Sequence, residues 1–349
     1  MFEHFKAWFG RLVAAAKILL AGWFRRTKPY YRGTWISGDH RESSGRLVYA
    51  PLVSPKRGYR LYFPDGYRIG ERLPLMVMLH GCKQNSESFA AGTRINLFAD
   101  RARFCVLYPE QTGLANPYHC WNWFDPSNNE GDGEVAIIAA MAREVAKEHN
   151  VDASRIYVAG LSAGGALASA LASCHADVFA ACAVHSGLMF QAANFPAAAR
   201  SAMQNGSERD PEKAGERAYK ISGDKVDAMP VLVIHGDADE TVHPVNAQQI
   251  IAQFLAMNRH GSQTYGLLDT LTARTTEKTN GSGYRYEIRD YGPEVAPLLR
   301  HVTVKGMGHA WSGGNPSYPF NDPRGPDASE MMVEFFALHR RENSHSMSF

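Results

Sequence analysis

The stretch that most constrains this chain lies between Arg155 and Cys174. The apolar run Arg155–Ala159 predicts a strand, and the small residues of Ala163–Cys174 predict a helix. Between them stands Gly160-Leu161-Ser162-Ala163-Gly164, the only G-x-S-x-G in the sequence. A strand that turns directly into a helix forces its central residue into a strained conformation, and only small neighbours tolerate the close approach of the two backbones. Ser162 is thereby lifted above a sheet edge, next to the free N–H groups and positive dipole end of the helix.

Other apolar runs fit the same plan. Leu73–Leu79, Phe104–Pro109, Phe179–His185 and Pro230–His235 suit strands buried on both faces. Helical patterns at Ser86–Arg101, Glu134–His149, Val245–Asn258 and Ser329–Arg340 alternate with them, and Tyr284–Tyr291 and Arg300–Lys305 add strands. The pattern predicts a mostly parallel, doubly wound α/β sheet. Upstream, Arg46–Leu52 and Gly58–Pro64 read as a hairpin, preceded by a linker over 29–45. Residues 188–228 read as a polar insertion over one end of the sheet, with a lid as one role, and 261–283 as a mobile polar loop. The expected division is an N-terminal segment 1–28, a linker and first strand 29–57, a main domain 58–340 and a tail 341–349. A net charge of +2, from 37 basic and 35 acidic residues, gives no support for a nucleic-acid partner.

The N-terminal segment has its own periodicity. Phe2, Phe5, Trp8, Phe9, Leu12, Val13, Leu19, Leu20, Trp23 and Phe24 recur at helical steps, with Lys6, Lys17 and Arg11 outside the apolar face and Arg25, Arg26 and Lys28 following. Lys17 breaks the longest apolar run, which argues against a secretory signal or a spanning helix. Two readings remain: an amphipathic helix that lies on a lipid-like surface through residues 2–24, and a helix packed on protein.

A serine hydroxyl needs a base. On sheets with this strand-elbow-helix unit the partners come in the order serine, acid, histidine. Val233–Val242 supplies the acid: an apolar strand ends in His235-Gly236, and Asp237 and Asp239 stand in the turn after it. Asp239 is preferred, because Val242 three residues on lets the chain re-enter the core, while Asp237 fits a turn-stabilising role. The base is His309, in the loop Gly306-Met307-Gly308-His309-Ala310-Trp311 after a later strand. His80 and His235, each before a glycine at a strand end, read as structural. Oxyanion donors are expected from the backbone N–H groups of Ala163 and Cys82. No metal or cofactor is required, and no H-E-x-x-H spacing occurs.

Of the five cysteines, Cys105, Cys174 and Cys182 lie in apolar stretches and read as buried. Cys82 and Cys120 lie in loops and could pair, but an odd total does not require it. Trp121, Trp123 and Trp311 occupy expected loops. They read either as plugs on the core or as an apolar wall for a substrate, and the wall is preferred for at least one of them.

The chain resembles the poly(3-hydroxybutyrate) depolymerase-type esterase family of the α/β-hydrolase fold. The resemblance is carried by HGCKQ (80–84), CWNWF (120–124), GLSAGG (160–165), HGDADETV (235–242) and GMGHAWSGG (306–314). It implies a triad of Ser162, Asp239 and His309, an oxyanion hole at Cys82 and Ala163, and carboxylic-ester substrates, in some members 3-hydroxybutyrate polymer or oligomers. The family also includes feruloyl and acetylxylan esterase-like members. Secreted polymer-degrading members typically carry a signal peptide, a linker and a substrate-binding domain, and none of these is expected here. The expectation is therefore a cytoplasmic enzyme at a storage-granule or membrane surface, with secretion and oligomeric state left open. An idle hydrolase fold coating granules is the non-enzymatic alternative.

Overall fold

The computed structural model describes residues 32–223, 228–261 and 273–341. The N-terminal helix expected over 2–24 and the tail beyond 341 lie outside the described residues.

Among the described residues the strands of the main sheet are β1 (Thr34–Arg41), β2 (Lys56–Phe63), β3 (Leu75–Leu79), β4 (Cys105–Glu110), β5 (Ile156–Leu161), β6 (Ala181–His185), β7 (Val231–Gly236), β8 (Arg274–Thr279), β9 (Arg285–Tyr291) and β10 (Leu299–Val304). They form one sheet in the order β1-β2-β4-β3-β5-β6-β7-β10-β9-β8. From β4 across to β10 every neighbour is parallel. Antiparallel strands close both edges. The helices are α1 (Ser86–Thr93), α2 (Ile95–Ala102), α3 (Gly133–Glu148), α4 (Ala163–Cys174), α5 (Pro196–Asn205), α6 (Pro211–Ser222), α7 (Val245–Gly261) and α8 (Ala328–Ala337).

The continuous apolar runs have a direct cause. Side chains alternate across a strand, and here both faces are covered. Leu75, Val77 and Leu79 of β3 enter one core, while Met76 and Met78 enter the other. In β7, Val231 and Val233 divide from Leu232 and Ile234 in the same way.

The first hairpin differs from expectation. The strand is Thr34–Arg41, within the expected linker, paired along its length with Lys56–Phe63. Residues 46–52, read as a strand, are loop. Their N–H groups are used elsewhere: Val48 and Tyr49 donate to the two carboxylate oxygens of buried Asp125 at 3.0 and 2.9 Å. The expected helix over 86–101 is two helices, broken where Arg94 adopts φ 59. The end of the expected mobile loop is strand β8, paired with β9 through a turn at Asn280-Gly281. Within the expected insertion lie α5 and α6. Gly215 lets α6 approach the α7 backbone so closely that a Cβ would strike the carbonyl of Gln253.

Close approach is tightest at the turn after β5. A Cβ on Gly160 would collide with the backbone of Gly164, and one on Gly164 with the carbonyls of Leu79 and His80. Gly164→Ala is expected to destabilise the fold by about 1–3 kcal/mol. A lowered urea midpoint checks it, and an unchanged midpoint contradicts the packing described.

Candidate active site

Ser162 sits between β5 and α4 at φ 59, ψ −121, a backbone conformation costly for any residue with a Cβ. Its N–H donates to the carbonyl of His185 at 2.9 Å, at the end of neighbouring β6. Ala163 opens α4, so its N–H belongs to the first turn, which has no intrahelical acceptor.

The loop after β3 closes over this turn. A Cβ on Gly81 would lie 3.6 Å from that of Ser162, so Gly81 is brought against the serine. The loop is held from several directions. Gly81 N–H donates to Gln84 Oε1 at 2.8 Å, Lys83 N–H to the Tyr118 carbonyl at 2.8 Å, and Cys82 is disulfide-bonded to Cys120. The pairing left open by the sequence is therefore present, and it ties the loop that carries Cys82 to the CWNWF segment.

That segment hangs from a buried carboxylate. Glu134, fully buried at the start of α3, accepts from Asn122 N–H at 2.7 Å and Asn122 Nδ2 at 3.1 Å, from the Gln111 side chain, and from Arg57 at 2.9 Å. Gln111 in turn donates its N–H to His80 Nε2 at 3.2 Å and its side-chain amide to the Cys120 carbonyl at 2.9 Å. A buried ion pair is tolerable only when its lone pairs are filled in this way.

Asp239 and His309 follow β7 and β10, which are parallel neighbours. The loops beyond them are stitched together: Asp237 N–H donates to the Val304 carbonyl at 3.1 Å, Ala238 N–H to the Met307 carbonyl at 3.1 Å, and Gly306 N–H to Asp237 Oδ1 at 2.6 Å. This brings buried Asp239 to His309, with Oδ2 2.7 Å from Nδ1. Asp239 Oδ1 accepts from the N–H groups of Thr241 and Val242, both at 2.9 Å. Burial works to raise the Asp239 pKa, but the neighbouring His235 Nε2 at 3.4 Å and the hydrogen bond with His309 outweigh it and hold the carboxyl well below its usual range. Asp237 clamps the turn, and Val242 is fully buried, as the spacing required.

His185 carries no motif that marks it in the sequence, yet it joins two parts of the site. Its carbonyl holds Ser162, and its Nε2 accepts the N–H of Ser312, three residues beyond His309, at 3.0 Å. Its signal is its place: a histidine ending an apolar strand next to the elbow.

Trp121 and Trp311 do not form a substrate wall. Trp121 and Trp311 have no exposed surface and Trp123 is 7% exposed. Trp311 stacks on His185 with ring centroids 5.1 Å apart and donates its indole N–H to Ser329 at 3.2 Å, which anchors the His309 loop from below. Trp121 packs against His80, and Trp123 meets Phe124 edge-on. Large aromatic area stabilises most when it is buried, so these side chains serve as foundation.

A nucleophile-type serine on a strand-helix elbow, with an Asp-His pair on the same edge of a mostly parallel sheet flanked by helices, defines an α/β hydrolase. A family model described as Esterase PHB depolymerase matches residues 57–281, and the chain belongs to that family. Poly(3-hydroxyalkanoate) depolymerase C of Paucimonas lemoignei is 32% identical over 239 residues, covering 68% of this chain and 54% of the depolymerase. This chain thus spans about half the length of that relative. Feruloyl esterase B of Neurospora crassa is 31% identical over 202 residues, covering 55% of this chain and 67% of the esterase. Among solved structures, acetyl xylan esterase from Aspergillus awamori matches with a TM-score of 0.64 at 18% identity, over 87% of this chain and 99% of its own, a likeness of fold.

Two outcomes are expected. Cys120→Ser, or reduction with a thiol, should lower kcat about tenfold or more while the fold persists, because it frees the Cys82 loop; steady-state kinetics beside circular dichroism checks this, and unchanged kcat after verified reduction contradicts it. The second concerns acid. Burial pushes His80, His301 and His339 down to about 4 and His185 to about 3, from 6.5. Between those values the unfolded chain binds more protons than the folded one. Stability is therefore lost as pH falls from about 6.5 toward 4, by up to about 1.4 kcal/mol per unit for each histidine. Urea midpoints across that range should decline steeply, and a flat series would refute the assignment of these rings as neutral.

Proposed function

We propose that this chain is a serine carboxylesterase that hydrolyses 3-hydroxyalkanoate polymer or oligomers through an acyl-enzyme on Ser162. The observation that carries the chemistry is the Asp239–His309 pair at 2.7 Å on the sheet edge that bears the strained Ser162 turn. In this reading His309 takes the hydroxyl proton as Ser162 Oγ attacks the ester carbonyl, and Asp239 holds the imidazole tautomer. The N–H groups of Cys82 and Ala163 face the developing oxyanion. The alcohol leaves with the proton, and water then attacks the acyl-enzyme by the same route and releases the acid.

The choice of substrate is supported by the depolymerase relative, at 32% identity. A second reading, hydrolysis of plant-wall acyl esters, is favoured by the feruloyl esterase at 31%. Ser162→Ala should lower kcat by on the order of 10⁴ or more with unchanged folding. Retained activity would remove the mechanism, and retained granule binding by an inactive native protein would favour the coat-protein alternative. Release of 3-hydroxybutyrate from short oligomers, measured against ferulate and acetate from model esters, decides between the two esterase readings.

The apolar and basic pattern of residues 2–24 supports docking on a granule or membrane surface. Deleting residues 1–28 should then release the protein from polyhydroxybutyrate granules or anionic liposomes in a sedimentation assay. Unchanged partitioning would exclude that role.

A further inference from the structure

We infer that His235 is a positioning residue that sets how strongly Asp239 holds His309, an inference that rests on the esterase reading above.

His235 lies near the end of β7, four residues before Asp239, and is 1% exposed. Its Nε2 lies 2.8 Å from the carbonyl of Val242. A carbonyl only accepts, so the proton of this ring is on Nε2. The same nitrogen stands 3.4 Å from Asp239 Oδ2, the oxygen that His309 Nδ1 approaches at 2.7 Å. One carboxylate oxygen therefore faces two imidazoles. The arrangement is a closed ring: Val242 donates its N–H to Asp239 Oδ1 and accepts from His235. Nδ1 of His235 is buried and has no hydrogen-bond partner among the described residues, so the polar contacts of this side chain all run through Nε2.

Every contact from a fixed N–H draws charge from the carboxylate. With His235 in place, Asp239 orients His309 but attracts its protonated form less. The other groups around the ring do not substitute for it. His185 at the end of β6 and His301 on β10 are driven toward the neutral form by burial, Arg289 on β9 lies beside His301, and Lys305 pairs with Asp237 at 3.4 Å.

Removing the N–H leaves Asp239 with more of its charge. The imidazolium of His309 is then favoured, and the base keeps its proton to higher pH. In His235→Phe the acidic limb of kcat/KM should move upward by about half a pH unit or more. His235→Gln, whose amide N–H reaches the position of Nε2, should bring the limb back toward the native value. His235→Asn, whose shorter amide cannot reach, should behave like His235→Phe and replaces it if the phenylalanine variant does not fold. The experiment is the pH dependence of kcat/KM for p-nitrophenyl butyrate in the three variants and the native protein, with thermal melts alongside. A shifted limb restored by glutamine supports the inference. An unmoved limb in folded variants, or equal shifts in the glutamine and asparagine variants, overturns it. Ser162→Ala in the same assay separates the two claims: if it keeps activity the esterase reading fails, and if it is inactive while the limb stays fixed only the role of His235 fails.

Discussion

The backbone of Ser162 is the constraint around which the molecule is arranged. A non-glycine residue at φ 59, ψ −121 costs on the order of 1–3 kcal/mol and persists only where the surroundings leave no alternative. Those surroundings can be named. β5 is fixed on both sides by parallel neighbours, β3 and β6. Gly160 and Gly164 allow α4 to double back against the strand, and the His185 carbonyl takes the serine N–H. Relaxing the turn would break that hydrogen bond and pull a helix out of the core, so the strain is held by packing on two sides.

The same logic explains how chemistry-bearing side chains from distant parts of the chain meet. Parallel strands end on one edge, and each continues into a loop whose first residues are already placed. Asp239 lies three residues after β7 and His309 five after β10. The hydrogen bonds between the two loops leave little room for either to shift alone. His185 adds a link of another kind, since its backbone serves the elbow and its ring serves the loop beyond His309. Because burial keeps that ring from protonating, its Nε2 remains an acceptor near neutral pH.

The legible parts of the sequence are those in which a physical requirement leaves a local mark. Strands buried on both faces exclude most polar residues, so β3 to β7 stand out. The elbow needs small residues at fixed offsets. Asp239 is separable from Asp237 because Val242 has to return to the core. The edges are harder. β1 is half-exposed and reads TWISGDHR, with a polar face that resembles a linker. The segment at 46–52 contains Leu47, Val48 and Tyr49 and resembles a strand, but its backbone donors belong to Asp125, 76 residues away from Tyr49 in sequence. Trp121 and Trp311 mislead for a related reason. A composition rich in aromatics marks a need for buried area without saying whether the partner is the protein or a ligand. The disulfide joins residues 38 apart and has no local signature.

The role of the CWNWF segment is set by the partners of its polar atoms. Asn122 gives its N–H and its amide to Glu134, Cys120 gives its carbonyl to Gln111 and its sulfur to Cys82, and nearby Tyr118 gives its carbonyl to Lys83. These bonds lead either to the buried carboxylate of α3 and the glutamine bound to it, or to the loop that covers Ser162. The short loop after β3 holds part of itself, through the Gly81 N–H to Gln84, and the rest of its rigidity comes from the second loop. The buried tryptophans and the Arg57–Glu134 pair supply it indirectly: they make the second loop part of the core, and the disulfide and the Lys83 bond pass that rigidity to the first. The aromatic motif is thus tied to the geometry of the Ser162 turn through placement.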